Sequence, residues 1–282
     1  MANLLLTGLL ILITVVWGWT FVVVRDSVMA YSVLGFLALR FTIASLCLGP
    51  FSFKRLRRGT FVAGAGIGIC LAGGYLLQTY GLRYTTPTNS GLITGLFVVF
   101  APAAGLALFR ARIDRSFLLP LGACLVGTLL LVGDSPEAIR IGDGLTLGCA
   151  ACFGLHIALL SQFAPRYDAT ALALAQMVTT ALLCGLPWLF FESPSSPPGH
   201  VWFALVITGV LASALAFAVQ TYVQQRLSAT RTAIILTMEP VFAVFFGYLL
   251  AGDRLSWVQI IGALLILAAI AASEVLPALK RD

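Results

Sequence analysis

Ten apolar runs, each about as long as a bilayer is thick, leave this chain very few ways to fold. They lie at residues 3–24, 32–53, 60–81, 87–109, 116–133, 142–163, 169–191, 202–223, 230–251 and 257–275. About twenty helical residues cross a hydrocarbon core of ~30 Å. No water is available there to satisfy peptide groups, and the connections are too short and unpatterned for a barrel, so each run must close its own hydrogen bonds as a helix. The predicted fold class is all-α: a polytopic membrane protein with ten transmembrane helices. Composition agrees, because 60% of the residues are hydrophobic and 10% charged, against roughly 25% charged in soluble domains.

The net charge of +6 would fit an acidic partner if the cations shared a face, but they sit in short clusters between runs. Topology accounts for them without nucleic acid. A cytoplasmic N-terminus puts Lys54, Arg55, Arg57, Arg58, Arg110, Arg112, Arg115, Arg166, Arg226, Arg231, Lys280 and Arg281 inside and leaves Arg25, Arg83, Arg140 and Arg254 outside, a clear positive-inside bias. Trp188, Trp202 and Trp257 then all fall at outer helix ends, where an amphipathic ring is stable. The first run lacks a basic leader and a small-residue cleavage site, so it reads as a spanning helix rather than a signal peptide. All six cysteines lie within apolar runs and read as small hydrophobes; Cys149 and Cys152 are spaced CxxC but lack the second Cys or His pair that a metal site needs.

The two halves of the chain echo each other. Gln78-Thr79-Tyr80 recurs 142 positions later as Gln220-Thr221-Tyr222, and the same register pairs Asn89 with Arg231. Earlier, an offset of 136 pairs Trp17-Gly18 with Phe153-Gly154, Thr20 with His156 and Arg40 with Gln176. The expected domains are residues 1–141 and 142–282, five runs each. Five is odd, so the second copy enters the membrane with opposite polarity, placing Gln78 near the outer face and Gln220 near the inner. Inverted repeats of this kind suit secondary transporters, in which two packings of similar energy alternate around a central site. Chance likeness among apolar segments is the alternative.

"WGWTFVVVR" in the first run, "ALRF" in the second, "GLRYTTPTNSGLITGLFVVFAP" across the third and fourth, and "MEPVFAVFFGYLLAGDRLSWVQIIGALLILAA" across the ninth and tenth resemble the drug/metabolite transporter superfamily, EamA type. The resemblance covers essentially the whole chain. It implies a ten-helix inner-membrane carrier, two inverted five-helix repeats around a cavity lined mainly by spans 1, 3, 4, 6, 8 and 9. Bacterial members include exporters of amino acids and related metabolites. The family often carries Gly-Glu after the fourth and ninth spans; here Gly252-Asp253 follows the ninth, while the fourth ends Phe109-Arg110-Ala111-Arg112.

Polar groups within spans mark candidate site residues, because a charge at mid-bilayer costs roughly 2.5–3.5 kcal/mol even on insertion scales. Glu239, mid-span and followed by Pro240, can hold an ammonium, take up a proton, or pair structurally with Arg40. Arg40 reads as structural, since the resemblance puts the second span at the periphery and Gln176 replaces it in the other half. Trp17 and Thr20 share a helical face, as do their counterparts Phe153 and His156; Tyr75 with Gln78 matches Phe217 with Gln220. Such aromatic-plus-polar faces suit a solute with an apolar body and a polar or cationic head; the bland alternative is helix-helix adhesion. Asn89 opens the fourth span and adds an amide at the outer mouth. His156 is either a proton shuttle or a hydrogen-bonding group. Pro102 and Pro240 should bend their helices.

The expected substrate-binding set is Trp17, Thr20, Tyr75, Gln78, Asn89, His156, Gln220 and Glu239. No catalytic set, metal cluster, cofactor motif or nucleotide-binding motif accompanies them, and no repeated filter marks a channel. The expectation is a secondary-active exporter in the bacterial inner membrane, both termini cytoplasmic. It moves amino acids or related small metabolites through the lipid bilayer, with a multidrug carrier or importer as rivals.

Overall fold

The structure, a computed structural model, describes residues 2–133, 141–192, 194–250, 252, 254 and 256–279. Helices α1 (Ala2–Ala30), α2 (Val33–Ser52) and α3 (Arg58–Gly81) form the first three spans, and α4 (Pro87–Thr94) with α5 (Phe97–Phe109) the fourth. Then follow α6 (Leu118–Gly133), α7 (Ile141–Phe163) and α8 (Ala169–Phe191). The eighth span is α9 (Gly199–Gly209), a π-helical turn (Val210–Leu215) and α10 (Ala216–Gln224); the ninth is α11 (Ala229–Leu236) with α12 (Met238–Leu250); the tenth is α13 (Trp257–Leu279). Among the described residues, eight segments are long and apolar enough to cross a membrane, and Arg115–Leu130 and Trp257–Ser273 are shorter apolar helices. Leu46, Phe53, Phe190, Phe191 and Leu264 stand exposed on the periphery, where only a lipid environment avoids the cost of wetting them. Arg140, Asp253, Lys280 and Arg281 lie outside the described residues.

Helix α1 runs six residues past the end of its apolar run. Carbonyls at its end are partnered by Arg83, which reaches from the end of α3 to donate from Nε to Val28 O (2.9 Å) and from Nη2 to Tyr31 O (2.8 Å). A side-chain cation on those carbonyls also complements the negative end of the helix. The corresponding residue of the second half, Gln225, donates in the same way to Ala164 O (3.5 Å) and Tyr167 O (2.9 Å) at the end of α7. Both pairs of acceptors obey the 136 offset and both donors the 142 offset seen in the sequence.

The same reciprocity organises the packing. A Cβ on Gly18 would stand 2.5 Å from Phe242 Cβ and 2.8 Å from Ala243 N, and one on Gly154 would stand 2.4 Å from Phe100 Cβ and 2.8 Å from Ala101 N. Thus α1 lies against α12 as its counterpart α7 lies against α5, the same contact made once from each half. Gly68 meets Thr179 Cβ and Gln176 O, while Gly209 meets Ile43 and Arg40 O, so α3 rides on α8 as α9 rides on α2. The self-paired contacts, α2 with α8 and α6 with α13, fall across the axis that relates the halves.

Each end of the bundle is clasped between halves. At one end Ser32, which caps α2 by accepting from Gly35 N at 3.0 Å, donates to Glu192 Oε2. At the other, Asp168 caps α8 from Thr170 N and Ala171 N and bridges Arg55 Nη1 at 3.2 Å. Burial pushes the Asp168 carboxyl up, but the Ala171 amide, the Thr170 hydroxyl and the Arg55 guanidinium outweigh it and hold the group below the ordinary carboxylate range.

Arg110 ends α5 with φ 51°, and Gly252, 142 positions on, has φ 74°. Its neighbour completes the cap through Ala111 N to Gly105 O at 3.1 Å. This left-handed site favours glycine, since a Cβ costs roughly 1–2 kcal/mol there. Arg110→Gly should therefore raise the melting temperature of the purified protein, by an amount matching on the order of 1 kcal/mol; an unchanged or lower value contradicts the assignment of strain to this residue.

Candidate functional site

Helical periodicity gathers the inward faces at one cavity. From α1 come Trp17 and Thr20, from α3 Tyr75 and Gln78, from α7 Phe153 and His156, from α10 Phe217 and Gln220, and from α12 Glu239. Arg40 of α2 joins them, with Phe97 and Leu236 beside the breaks of the fourth and ninth spans. Seven of the eight expected residues therefore meet there. Gln78 and Gln220, expected toward opposite faces, reach the same cavity. Its volume is about 40 Å³, room for a few waters.

Asn89 does not line it. Its backbone N donates to Thr86 Oγ1 at 3.1 Å in the first turn of α4, as Arg231 N donates to Ser228 Oγ at 3.3 Å in α11. The Asn89 and Arg231 register thus marks a shared N-cap, in which the hydroxyl takes an orphan backbone donor.

Arg40 is the residue whose place sequence reasoning did not find. It is 2% exposed and lines the cavity, although the second span was expected at the periphery. Its Nε donates to Ser213 Oγ at 2.8 Å and its Nη2 to Tyr75 Oη at 3.2 Å, with the guanidinium carbon 4.6 Å from the Tyr75 ring centroid. Ser213 is presented by the π-helical turn, where an extra residue per turn loosens the backbone ladder. The same turn gives Ala212 O to Trp17 Nε1 at 2.8 Å. Nothing in the local sequence, Val-Leu-Ala-Ser-Ala-Leu, announces it; the mid-span arginine itself was the available signal.

Glu239 takes no hydrogen bond and no ion pair among the described residues, so the pairing with Arg40 is not formed. It is 6% exposed and stands at the second position of α12. A helix begins there because Pro240 has no N–H to give the Leu236 carbonyl, so the ninth span breaks at Thr237, whose own N–H turns to Ala233 O and Ile234 O. The fresh N-terminus favours a carboxylate. The fourth span also breaks, at Gly95-Leu96, where Leu96 N, Val98 N and Val99 N all bond three residues back; Pro102 lies further on, inside α5. Interrupted spans at matching positions of two halves point to a binding site.

His156 Nε2 lies 2.8 Å from Gln176 Oε1, and Gln78 Nε2 donates to Thr94 Oγ1 at 3.1 Å. Gln220 Nε2 donates to Gln224 Oε1 at 2.9 Å, which leaves the Gln220 oxygen without a partner. Aromatic rings close the walls: Trp17 and Phe217 are 5.4 Å apart, Tyr75 and Phe153 5.2 Å. The cavity thus offers a guanidinium, a separate carboxylate, amides and ring faces.

The EamA-like transporter family matches this chain twice, over residues 5–133 and 140–273. An uncharacterized transporter of Archaeoglobus fulgidus is 34% identical over 93% of this chain and 83% of its own. A probable amino-acid metabolite efflux pump of Salmonella typhimurium is 25% identical over 92% and 91%. A solved crystal structure superposes with a TM-score of 0.78 at 20% identity, covering 98% of each chain, which is a likeness of fold. The chain belongs to the EamA-like transporter family and is a multi-pass membrane transporter.

Proposed function

We propose that the protein is a secondary-active carrier that exports small zwitterions, amino acids foremost, by alternating access. The observation that carries this reading is the separation of Arg40 and Glu239 on one aromatic-walled cavity. Two opposite charges that decline each other within the membrane are each stabilised when a solute brings the complementary group. A carboxylate meets the unused N–H donors of Arg40, and an ammonium meets Glu239 and the ring faces. Trp17, Thr20, Tyr75, Gln78, His156 and Gln220 are the proposed lining of that site. The family's amino-acid metabolite efflux relative supports the substrate class. Glu239 is also where proton uptake can be tied to solute.

The two domains of this reading are residues 1–141 and 142–282. Their near-equivalent packing would supply the two conformations of similar energy that alternating access needs. The clustered cations support a bacterial inner membrane as the location, with both termini cytoplasmic. The rings around Glu239 also favour a second reading, a carrier of organic cations.

Counterflow in proteoliposomes tests the two. Amino acids should drive it at least tenfold better than the matching amines or carboxylic acids. Amines alone matching amino acids would establish the organic-cation reading, and failure of every solute would overturn both.

A further inference from the structure

A second recess lies away from the central cavity, at the end of the bundle where Arg55 bridges Asp168. At the end of α2 and the start of α3, Lys54, Arg55 and Arg57 face Arg166, which follows α7, around a pocket floored by Gly59 and Thr60. Asp168 is the single acid there, and Arg55 already bridges it. Lys54 and Arg57 take no carboxylate among the described residues, and Arg166 rests over the Phe163 ring at 5.6 Å. The pocket therefore holds an excess of positive charge.

Next to it, sharing Gly59 and Tyr167, runs an apolar groove between α3 and α7, lined by Val62, Ala63, Gly66, Leu159 and Phe163. Val62 is 63% exposed, and a Cβ on Gly66 would meet nothing within 4 Å. The groove thus faces the acyl region of the bilayer and has a glycine where a side chain could have filled it. The fold does not require this pairing. The matching loop of the second half, 192–198, carries one acid and no Lys or Arg.

We infer that this recess is a binding site for an anionic phospholipid. The phosphate group sits among Lys54, Arg57 and Arg166 at the level where helix ends meet head groups, and one acyl chain lies along the Gly66 groove. Charge complementarity selects the occupant: each cation near a membrane surface strengthens attraction to anionic lipid by roughly fivefold, and a soluble anion gains nothing from the apolar groove.

Native mass spectrometry of the full-length protein, released from detergent and titrated with phosphatidylglycerol or phosphatidylcholine, tests this. The protein should retain phosphatidylglycerol at least tenfold more tightly than phosphatidylcholine. The Lys54→Gln, Arg57→Gln, Arg166→Gln triple variant should lose that preference, about tenfold or more for three cations. Gly66→Leu, which meets open space and leaves every charge in place, should weaken retention of both lipids while the melting temperature holds. Glycerol phosphate should not displace the lipid; if it does at equal concentration, the site binds free phosphate esters and the lipid assignment falls. Equal retention of the two lipids, or a triple variant that melts normally and keeps its preference, would overturn the inference. Neither outcome bears on which solute crosses the central cavity.

Discussion

Glu239→Gln should abolish amino-acid counterflow while leaving a protein that folds and purifies normally. The substitution keeps the side chain's shape and removes its charge. In the unliganded protein nothing is lost, because the carboxylate has no partner among the described residues to leave behind, and relief of a mid-membrane charge is neutral or stabilising. In the loaded protein a desolvated ammonium-carboxylate attraction disappears. Removing one member of such a pair costs about 2–5 kcal/mol, or about 30-fold to several thousandfold in affinity. Arg40→Gln should act on the same transport but differ in kind. It also takes donors from Ser213 and from Tyr75 Oη, so it should lower the melting temperature as well. Initial rates across a solute concentration series separate weakened binding from a misfolded fraction. A Glu239→Gln protein that exchanges amino acids at the wild-type rate ends the zwitterion reading.

Gly18→Ala and Gly154→Ala should each destabilise the fold by about 1–3 kcal/mol or more, and by similar amounts. Each new methyl group would meet a Phe Cβ and backbone atoms of the opposing helix, with the nearest approach at 2.5 Å and 2.4 Å respectively. Backbone cannot swing aside as a long side chain can, so relief requires helices to separate throughout the contact, as overpacking generally does. Gly66→Ala is the control, since open space surrounds it. Thermal unfolding of detergent-purified protein should rank Gly66→Ala near wild type and the other two well below. If Gly18→Ala melts with Gly66→Ala, close seating of α1 on α12 is not what holds the halves together. If Gly18→Ala and Gly154→Ala differ widely, the halves do not share that load.

The spans were legible because a membrane imposes one simple demand, length of apolar run, which eight segments of the described residues meet in full and two shorter apolar helices meet in part. Helical spacing was enough to place Trp17 with Thr20 and Tyr75 with Gln78 on inward faces, because residues three apart share a face wherever the helix goes. Arg40 shows the limit. Its neighbours Ser213 and Tyr75 are 173 and 35 positions away, and a single span carries no record of what will face it. Asn89 shows another: its match to Arg231 was sound as alignment, and what the two share is a backbone donor at a helix start. The helix breaks were half legible. Pro240 announces the one at Thr237, whereas the one at Gly95-Leu96 precedes Pro102 by several residues and rests on a run of bonds made three residues back.

The π-helical turn at Val210–Leu215 explains a small irregularity in how the halves correspond. Ahead of it, Gly68 and Gly209 occupy equivalent seats, 141 positions apart; beyond it, Tyr75 and Phe217, or Gln78 and Gln220, are 142 apart. One extra residue, taken up in the π-helical turn, accounts for the difference. Accommodated as a bulge, it left everything downstream in phase and released one carbonyl and one hydroxyl to Trp17 and Arg40. Because the other copy has no such insertion, the bonds that this turn accepts from Trp17 and Arg40 are made by one half alone among the described residues, and the two halves line the cavity with unlike polar contacts.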